Sequence, residues 1–172
     1  MDQLRGLIID VPNFPKPGIV FKDFTPLLAD PRGLALAVEL MANPYRTMNI
    51  DIVVGAESRG FIFGTAVAQA LSAGFVPIRK KGKLPRAVKR AEYALEYGTD
   101  CLEIHADGIK AGQRVLMVDD LLATGGTLRA GCDLVTSLGG IVAGITVLIE
   151  LAALAGREQV RAFGDVHAVL KY

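Results

Sequence analysis

Two adjacent carboxylates, Asp119 and Asp120, follow the apolar run Val115-Leu116-Met117-Val118 and precede Leu121-Leu122 and the small-residue turn Ala123-Thr124-Gly125-Gly126-Thr127. The apolar run reads as a strand buried on both faces, and Leu128-Arg129-Ala130 can start a helix. Where such a strand gives way to a helix, an open parallel sheet forms its ligand crevice. Ala123, Gly125 and Gly126 let the backbone approach a ligand closely, and the amides leading into a helix suit a phosphate. Two carboxylates on the same ledge suit sugar hydroxyls or a hard metal ion. Phosphate on one side and hydroxyls on the other describe a phosphorylated ribose. The chain has no Gly-Lys-Ser or Gly-Lys-Thr and no Gly-x-Gly-x-x-Gly after a strand, which excludes a Walker loop and a dinucleotide fingerprint. An isolated Asp pair would more simply cap a turn. The full string from Val115 to Thr127 outweighs that reading.

Three further groups of residues could do chemistry. Gly55-Ala56-Glu57-Ser58-Arg59-Gly60-Phe61-Ile62-Phe63-Gly64 is again a strand end leading into a helix. It offers a second anion site at which the planar fork of Arg59 can hold two phosphate oxygens; taken alone, Arg59 would be a surface ion-pair partner. The basic stretch Arg79-Lys80-Lys81-Gly82-Lys83-Leu84-Pro85-Arg86 reads first as a solvated loop and next as a nucleic-acid patch. Aromatic residues are not interleaved there, and a lid over a polyanion explains both the charge and the glycine. The hairpin that follows carries Glu96, a carboxylate able to serve as general acid or base if closure raises its pKa. Finally, Pro17-Gly18-Ile19-Val20-Phe21-Lys22-Asp23 places an aromatic on a loop. Phe21 is either core packing or a platform for a base, the latter worth about 1–3 kcal/mol.

The elements that must position these groups alternate between strand and helix. A short helix over 2–9 ends at the Pro-rich stretch Pro12–Gly18, and Phe24–Leu28 is a short apolar segment. Asp30-Pro31 starts a helix, with Leu34, Val38 and Met41 at helical spacing up to Pro44. A strand over Ile50–Val54 precedes a helix from Gly60 to Ser72, expected to pack Ile62, Ala66, Gln69 and Ala70 on one side. Phe75–Ile78 is the next strand, residues 79–90 an exposed mobile loop, and Glu92–Tyr97 with Cys101–His105 a hairpin about Tyr97-Gly98-Thr99-Asp100. Then come strand 115–119, helix 126–138, strand 141–149, short helix 151–155 and strand 165–170. This order predicts an α/β fold with a mainly parallel sheet, the hairpin being an insertion.

Bulk properties fit one domain. The chain has 172 residues, of which 51% are apolar, and a net charge of +1. Folding at that length buries roughly 70% of the surface the unfolded chain exposes, and the apolar excess leaves some surface for a subunit interface. Near-neutral charge gives no general attraction to nucleic acid or to an anionic membrane. Cys101 and Cys132 lack a Cys-x-x-Cys spacing and read as free thiols in a reducing compartment, without a zinc site. No basic region followed by an apolar stretch opens the chain, so no signal peptide is expected and the cytoplasm is the expected location. From Gly139 to Gly156 the only charge is Glu150, which raises a membrane-span flag. A charge inside the run, missing aromatic belts and the Ile/Val/Thr-rich Ile141–Ile149 point instead to a buried strand. His105 and His167 stand alone and read as structural.

The string from Val115 to Thr127 closely resembles the signature of the type I phosphoribosyltransferases, which use 5-phosphoribosyl 1-pyrophosphate (PRPP). Pro17–Asp23, Gly82-Lys83-Leu84-Pro85 and Leu95-Glu96-Tyr97-Gly98 resemble the adenine-using branch of that family, and the likeness runs over nearly the whole chain. The resemblance implies the type I fold: a mainly parallel twisted sheet flanked by helices, a flexible lid and hairpin at 79–105, and a short N-terminal hood within residues 1–30. It implies that Asp119 and Asp120 hold the ribose hydroxyls, and that Ala123, Thr124, Gly125, Gly126 and Thr127 cradle the 5-phosphate. Arg59 and Lys83 would bind the pyrophosphate, Phe21 and Leu121 would sandwich adenine, and Glu96 would be the acid/base group. The Glu57-Ser58 peptide would be cis. Backbone groups of Val20 and Lys22 would read the base edge. Adenine donates from its amine where 6-oxopurines accept, and two such mismatches discriminate by roughly 10²–10⁴-fold.

The implied reaction joins adenine and PRPP to give AMP and pyrophosphate. Mg²⁺ would travel on the diphosphate without a direct protein ligand, and the enzyme would be a homodimer acting on neither nucleic acid nor membrane. The chain departs from the pattern at Arg86–Arg90, which adds basic residues and leaves open which lid cations meet pyrophosphate. Two alternatives stand beside this reading. One is transfer to a 6-oxopurine, although the lysine motif expected for a 6-oxo group is not found. The other is a non-catalytic sensor of PRPP or purine that binds DNA, for whose helix-turn-helix the residues before Pro12 give no room.

Overall fold

The computed structural model describes residues 2–94 and 99–172. Its centre is a seven-stranded sheet in the order β5-β6-β4-β3-β7-β8-β9, formed by β3 (Ile52–Ala56), β4 (Gly74–Lys80), β5 (Val88–Ala94), β6 (Thr99–His105), β7 (Arg114–Leu122), β8 (Ile141–Glu150) and β9 (Val166–Lys171). The five strands from β4 to β9 in that order run parallel, while the β5–β6 hairpin joins the β4 edge antiparallel, through Arg79↔Glu103 and Lys80↔Leu102. The hairpin thus extends the main sheet.

β7 shows why the strand is central. Leu116 and Val118 enter one core with Phe24, Met41, Phe63 and Val67, whereas Val115 and Met117 enter a second with Ile78, Leu134 and Val135. Side chains alternate across a strand, so an unbroken apolar run is what two covered faces require. Helices α3 (Pro31–Ala42) and α4 (Gly60–Leu71) cover the first face and α5 (Gly126–Ser137) the second. Asp30 caps α3, its Oδ1 accepting from the Gly33 amide at 2.6 Å, with Pro31 at the first helical position. No helix of the described residues is long and apolar enough to cross a membrane.

The N-terminal region differs from expectation. Helix α1 (Asp2–Arg5) stops early, and β1 (Ile9–Pro12) pairs antiparallel with β2 (Val20–Asp23) in a separate two-stranded sheet. Gly6 weakens the helix, and the β-branched residues beyond it gain a strand partner. The segment after Phe24 is helical, as α2 (Thr25–Ala29).

Helix α4 turns a different face inward from the one expected. Gly60, Phe63, Gly64, Val67 and Ala68 are buried, whereas Ile62 is 40% exposed and Gln69 is also exposed. The glycines decide this: a Cβ on Gly64 would lie 2.6 Å from the Phe75 ring. Only the face bearing Gly60 and Gly64 can come so close to the sheet. The basic loop is shorter than its charge suggested, since β4 runs to Lys80 and β5 begins at Val88. A final short helix, α6 (Arg157–Val160), follows a 3-10 turn at Ala152–Leu154 and was not anticipated.

Candidate active site

β7 extends to Leu122, so Asp119 and Asp120 lie within the strand near its carboxyl end. Asp119 pairs in register with Val147 and turns toward the start of α4, where a Cβ on Gly60 would sit 2.8 Å from Asp119 Oδ1. Asp119 Oδ1 also accepts from the Asp120 amide at 3.0 Å. Both carboxyls are buried, at 7% and 4% exposure. Burial first, and the adjacent Asp120 carboxylate second, push the Asp119 carboxyl well above the usual range. Burial raises Asp120 too, against the pull of the Arg59 guanidinium.

Arg59 comes from the turn between β3 and α4, on the neighbouring strand of the sheet. Its Nε lies 3.0 Å from Asp120 Oδ2 without hydrogen-bond alignment, so the contact is an ion pair and that buried oxygen keeps its accepting capacity. The guanidinium also stands 5.4 Å from the Phe21 ring centre and 5.8 Å from that of Phe24. The Glu57-Ser58 peptide beside it is cis. Glu57 Oε2 accepts from Arg79 Nε at 2.8 Å and from the Lys80 amide at 3.0 Å, which ties this turn to the end of β4, where the basic loop begins.

The Ala123–Thr127 turn closes the other side. Gly125 has φ +88°, a conformation that favours glycine, and no side chain caps α5 behind it. The leading amides of a twelve-residue helix therefore face the turn, where a phosphate fits. Between Glu57–Arg59 and Asp119–Leu128 lies a cavity of about 220 Å³, lined by Asp119, Asp120, Leu121 and the whole Ala123–Thr127 turn.

Of the remaining expected residues, Leu121 lines this cavity, whereas Val20, Phe21, Lys22 and Lys83 do not. Phe21 approaches through Arg59 and packs edge-on against Phe14 at 5.3 Å. Val20 is 48% exposed, and the Lys22 side chain pairs with Asp10 at 2.7 Å, leaving its backbone as the part available to a base. Lys83 does not line the cavity. Arg79, Lys80, Arg86 and Arg90 pair with Glu57, Asp100, Asp107 and Glu103, whereas Lys83 pairs with no described carboxylate. Glu96 lies outside the described residues.

Two contributors went unrecognised in the sequence. Tyr93 interacts with Thr127 and, through a hydroxyl donated at 3.2 Å, with Asp100, so the hairpin touches the Ala123–Thr127 turn. Glu57 was seen only as part of the Gly55–Gly64 string, because its partners lie on the next strand. His167 Nε2 is 3.0 Å from the Leu40 carbonyl oxygen, a structural contact.

Residues 25–165 match the family described as phosphoribosyl transferase domain. A protein of Methylococcus capsulatus named adenine phosphoribosyltransferase is 54% identical over 172 residues, covering 100% of both chains. The crystal structure of adenine phosphoribosyltransferase from Thermoanaerobacter pseudethanolicus superposes with a TM-score of 0.96 at 47% identity over 99% of each chain. That of the Saccharomyces cerevisiae enzyme, complexed with an imino-altritol bisphosphate and adenine, has a TM-score of 0.93 at 38% identity, covering 98% of this chain and 97% of its own.

Proposed function

The chain belongs to the phosphoribosyltransferase family, within it to the adenine phosphoribosyltransferases, and from that membership we propose its reaction and the roles of its residues. It transfers 5-phosphoribosyl from PRPP to adenine, giving AMP and pyrophosphate in purine salvage. The observation that carries this reading is one cavity in which Arg59, the Asp119-Asp120 pair and the Ala123–Thr127 turn meet, with Phe21 against Arg59.

In this reading the α5 amides and the Ala123–Thr127 backbone bind the 5-phosphate. Asp119 and Asp120 accept hydrogen bonds from the ribose hydroxyls, and the buried Asp120 Oδ2 has its accepting capacity free for one. Leaving pyrophosphate gathers negative charge as the C1–O bond breaks, and Arg59 with Lys83 stabilises it. Phe21 and Leu121 stack on adenine, while the backbone of Val20 and Lys22 reads its edge. Glu96 exchanges the purine proton, so Glu96→Gln lowers turnover more than PRPP affinity. Lid closure excludes water that would hydrolyse PRPP.

In this reading Mg²⁺ is carried on the diphosphate, since a small, strongly hydrated cation keeps several waters and binds through substrate phosphates more readily than through an all-protein cage. When bound it neutralises charge on the departing oxygens. Homodimer formation is supported by apolar side chains left at the surface, with Ile62 40% and Ile141 49% exposed. The free thiols Cys101 and Cys132 support action in the reducing cytoplasm.

A transfer assay with PRPP and Mg²⁺ tests the reading, offering adenine, hypoxanthine, guanine and xanthine in parallel. AMP from adenine alone is the expected result. Turnover of a 6-oxopurine would overturn the base assignment, and tight PRPP binding without turnover would make the chain a sensor.

A further inference from the structure

The segment after β8 presses against the back of the phosphate turn. Gly156 has φ −59° and ψ −23°, a helical conformation open to any residue, so its backbone angles do not call for glycine. Its surroundings do. A Cβ there would collide with the Ala123 carbonyl oxygen and lie 2.7 Å from Leu122 Cδ1 and 3.1 Å from the Gly125 nitrogen. The contact is mutual: a Cβ on Gly125 would lie 2.5 Å from the Gly156 carbonyl oxygen and 3.0 Å from Gln159 Cβ. Two backbones therefore meet without side chains between them, directly behind the turn assigned to the 5-phosphate.

The next residue holds the segment there. Arg157 donates to Glu150 through both Nε at 2.6 Å and Nη2 at 2.7 Å, and through Nη1 to the Val166 carbonyl at 2.6 Å. Glu150 is the last residue of β8 and only 5% exposed, so the anchor point is part of the sheet. A bidentate Arg–carboxylate pair fixes direction as well as distance. Around it, the Leu151 amide donates to the Leu122 carbonyl at 2.9 Å, and Arg129 on α5 donates to the Gln159 carbonyl at 3.3 Å. The turn is thus clasped from behind by a segment tied to β8, β9 and α5.

We propose that Gly156, held by the Glu150–Arg157 pair, is the positioning wall of the 5-phosphate turn. Gly156, Glu150 and Arg157 do not line the cavity themselves. The wall sets where the Ala123–Thr127 amides stand, and a displacement on the ångström scale can cost about a hundredfold in a well-oriented site. The proposal rests on assigning that turn to the 5-phosphate, and it predicts an effect confined to one end of PRPP.

The test is calorimetric titration of the full chain with ribose 5-phosphate and, separately, with pyrophosphate and Mg²⁺. Wild type, Gly156→Ala, Arg157→Met and Arg157→Lys are compared, with melting curves for each. Binding of ribose 5-phosphate by wild type checks the assignment of the turn, and its failure would take the wall with it. Given that binding, Gly156→Ala and Arg157→Met should weaken ribose 5-phosphate about ten- to a hundredfold while pyrophosphate changes less than about twofold. Arg157→Lys should fall between, keeping the charge but losing the fork. Should Gly156→Ala not fold, the Arg157 pair decides. Equal weakening of both ligands, or no change for ribose 5-phosphate, would overturn the proposal.

Discussion

Arg59 Nε stands 3.0 Å from Asp120 Oδ2, joining the cation assigned to pyrophosphate to a carboxylate assigned to ribose. The Arg59 side chain is 43% exposed while that of Asp120 is buried, so solvent screens one side of the pair and its weight in stability is modest. Its weight in placement is larger, because the same guanidinium faces Phe21. Arg59→Gln should raise KM for PRPP about ten- to a hundredfold, the cost of a charge-assisted contact, with a smaller change in KM for adenine. Arg59→Lys should recover little, since a point charge cannot match two oxygens and a ring face together. Steady-state kinetics varying each substrate decides; an equal rise in both KM values would mean that Arg59 organises the whole site and has no preference for the pyrophosphate end.

Asp119 predicts an exchange of stability against binding. Its carboxyl titrates well above its usual 3.8, chiefly through burial. A raised acid pKa means that the folded chain keeps a proton the unfolded chain releases. The associated stability is present below the usual carboxylate value and is lost as pH rises toward the raised one. Asp119→Asn removes that loss, so the variant should melt above wild type at pH 7, and the difference should vanish in acid. Ribose hydroxyls donate, however, and the amide replaces one charged acceptor, so PRPP should bind roughly 10- to 100-fold more weakly. Melting at pH 4 and 7, with a PRPP titration, checks both halves. A variant less stable than wild type at pH 7 would refute the ionisation argument.

Phe21 should matter to the base alone. Removing a stacking face costs about 1–3 kcal/mol, so Phe21→Ala should raise KM for adenine roughly 5- to 150-fold and leave KM for PRPP within about threefold. The edge contact with Phe14 at 5.3 Å means that the ring is held ready by a neighbour. Phe14→Ala should therefore show a weaker version of the same effect, measurable in the same assay. An unchanged adenine KM in Phe21→Ala would return that ring to core packing.

How legible all this was in sequence depended on how local each signal was. The β7 run, the paired carboxylates and the glycine turn are contiguous, so strand, crevice and helix start could be read together. The inward face of α4 could not, because Ile62 looks like core until Gly64 is seen to meet Phe75 across the sheet. The extent of the basic loop differs for a similar reason: Arg79 and Lys80 carry charge yet belong to β4, where Glu57 of the turn after β3 and Glu103 of β6 receive them and their neighbours. Glu150 offered an unused clue. A lone carboxylate at the end of an apolar strand needs a paired cation, and Arg157 is the first cation after it. Reading that pair would have exposed the segment behind the phosphate turn, whose one distinguishing feature, a close approach of Gly156 and Gly125, appears only in three dimensions.

A contact far from the chemistry supplies a last prediction, and it separates folding from function. Tyr45, just beyond α3, donates its hydroxyl to the Ile145 carbonyl at 2.8 Å across a separation of 100 residues. Burial pushes its phenol up to about 12, so it remains a donor throughout the working pH range. The ring fits only because Gly144 has no side chain: a Cβ there would lie 3.0 Å from the ring's Cζ and 3.1 Å from its Cδ1. Tyr45→Phe removes the donor and keeps the ring, and should cost about 1–2 kcal/mol, lowering Tm by roughly 2–8 °C at this chain length. Gly144→Ala forces the ring aside and should cost about 1–3 kcal/mol through overpacking. The β8 residues concerned, Gly144 and Ile145, precede Glu150 by six and five positions along the strand. Turnover and both KM values of either variant should therefore match wild type at temperatures well below melting. A selective change in KM for PRPP would show that strain at this end of β8 reaches Glu150 and the wall behind the phosphate turn.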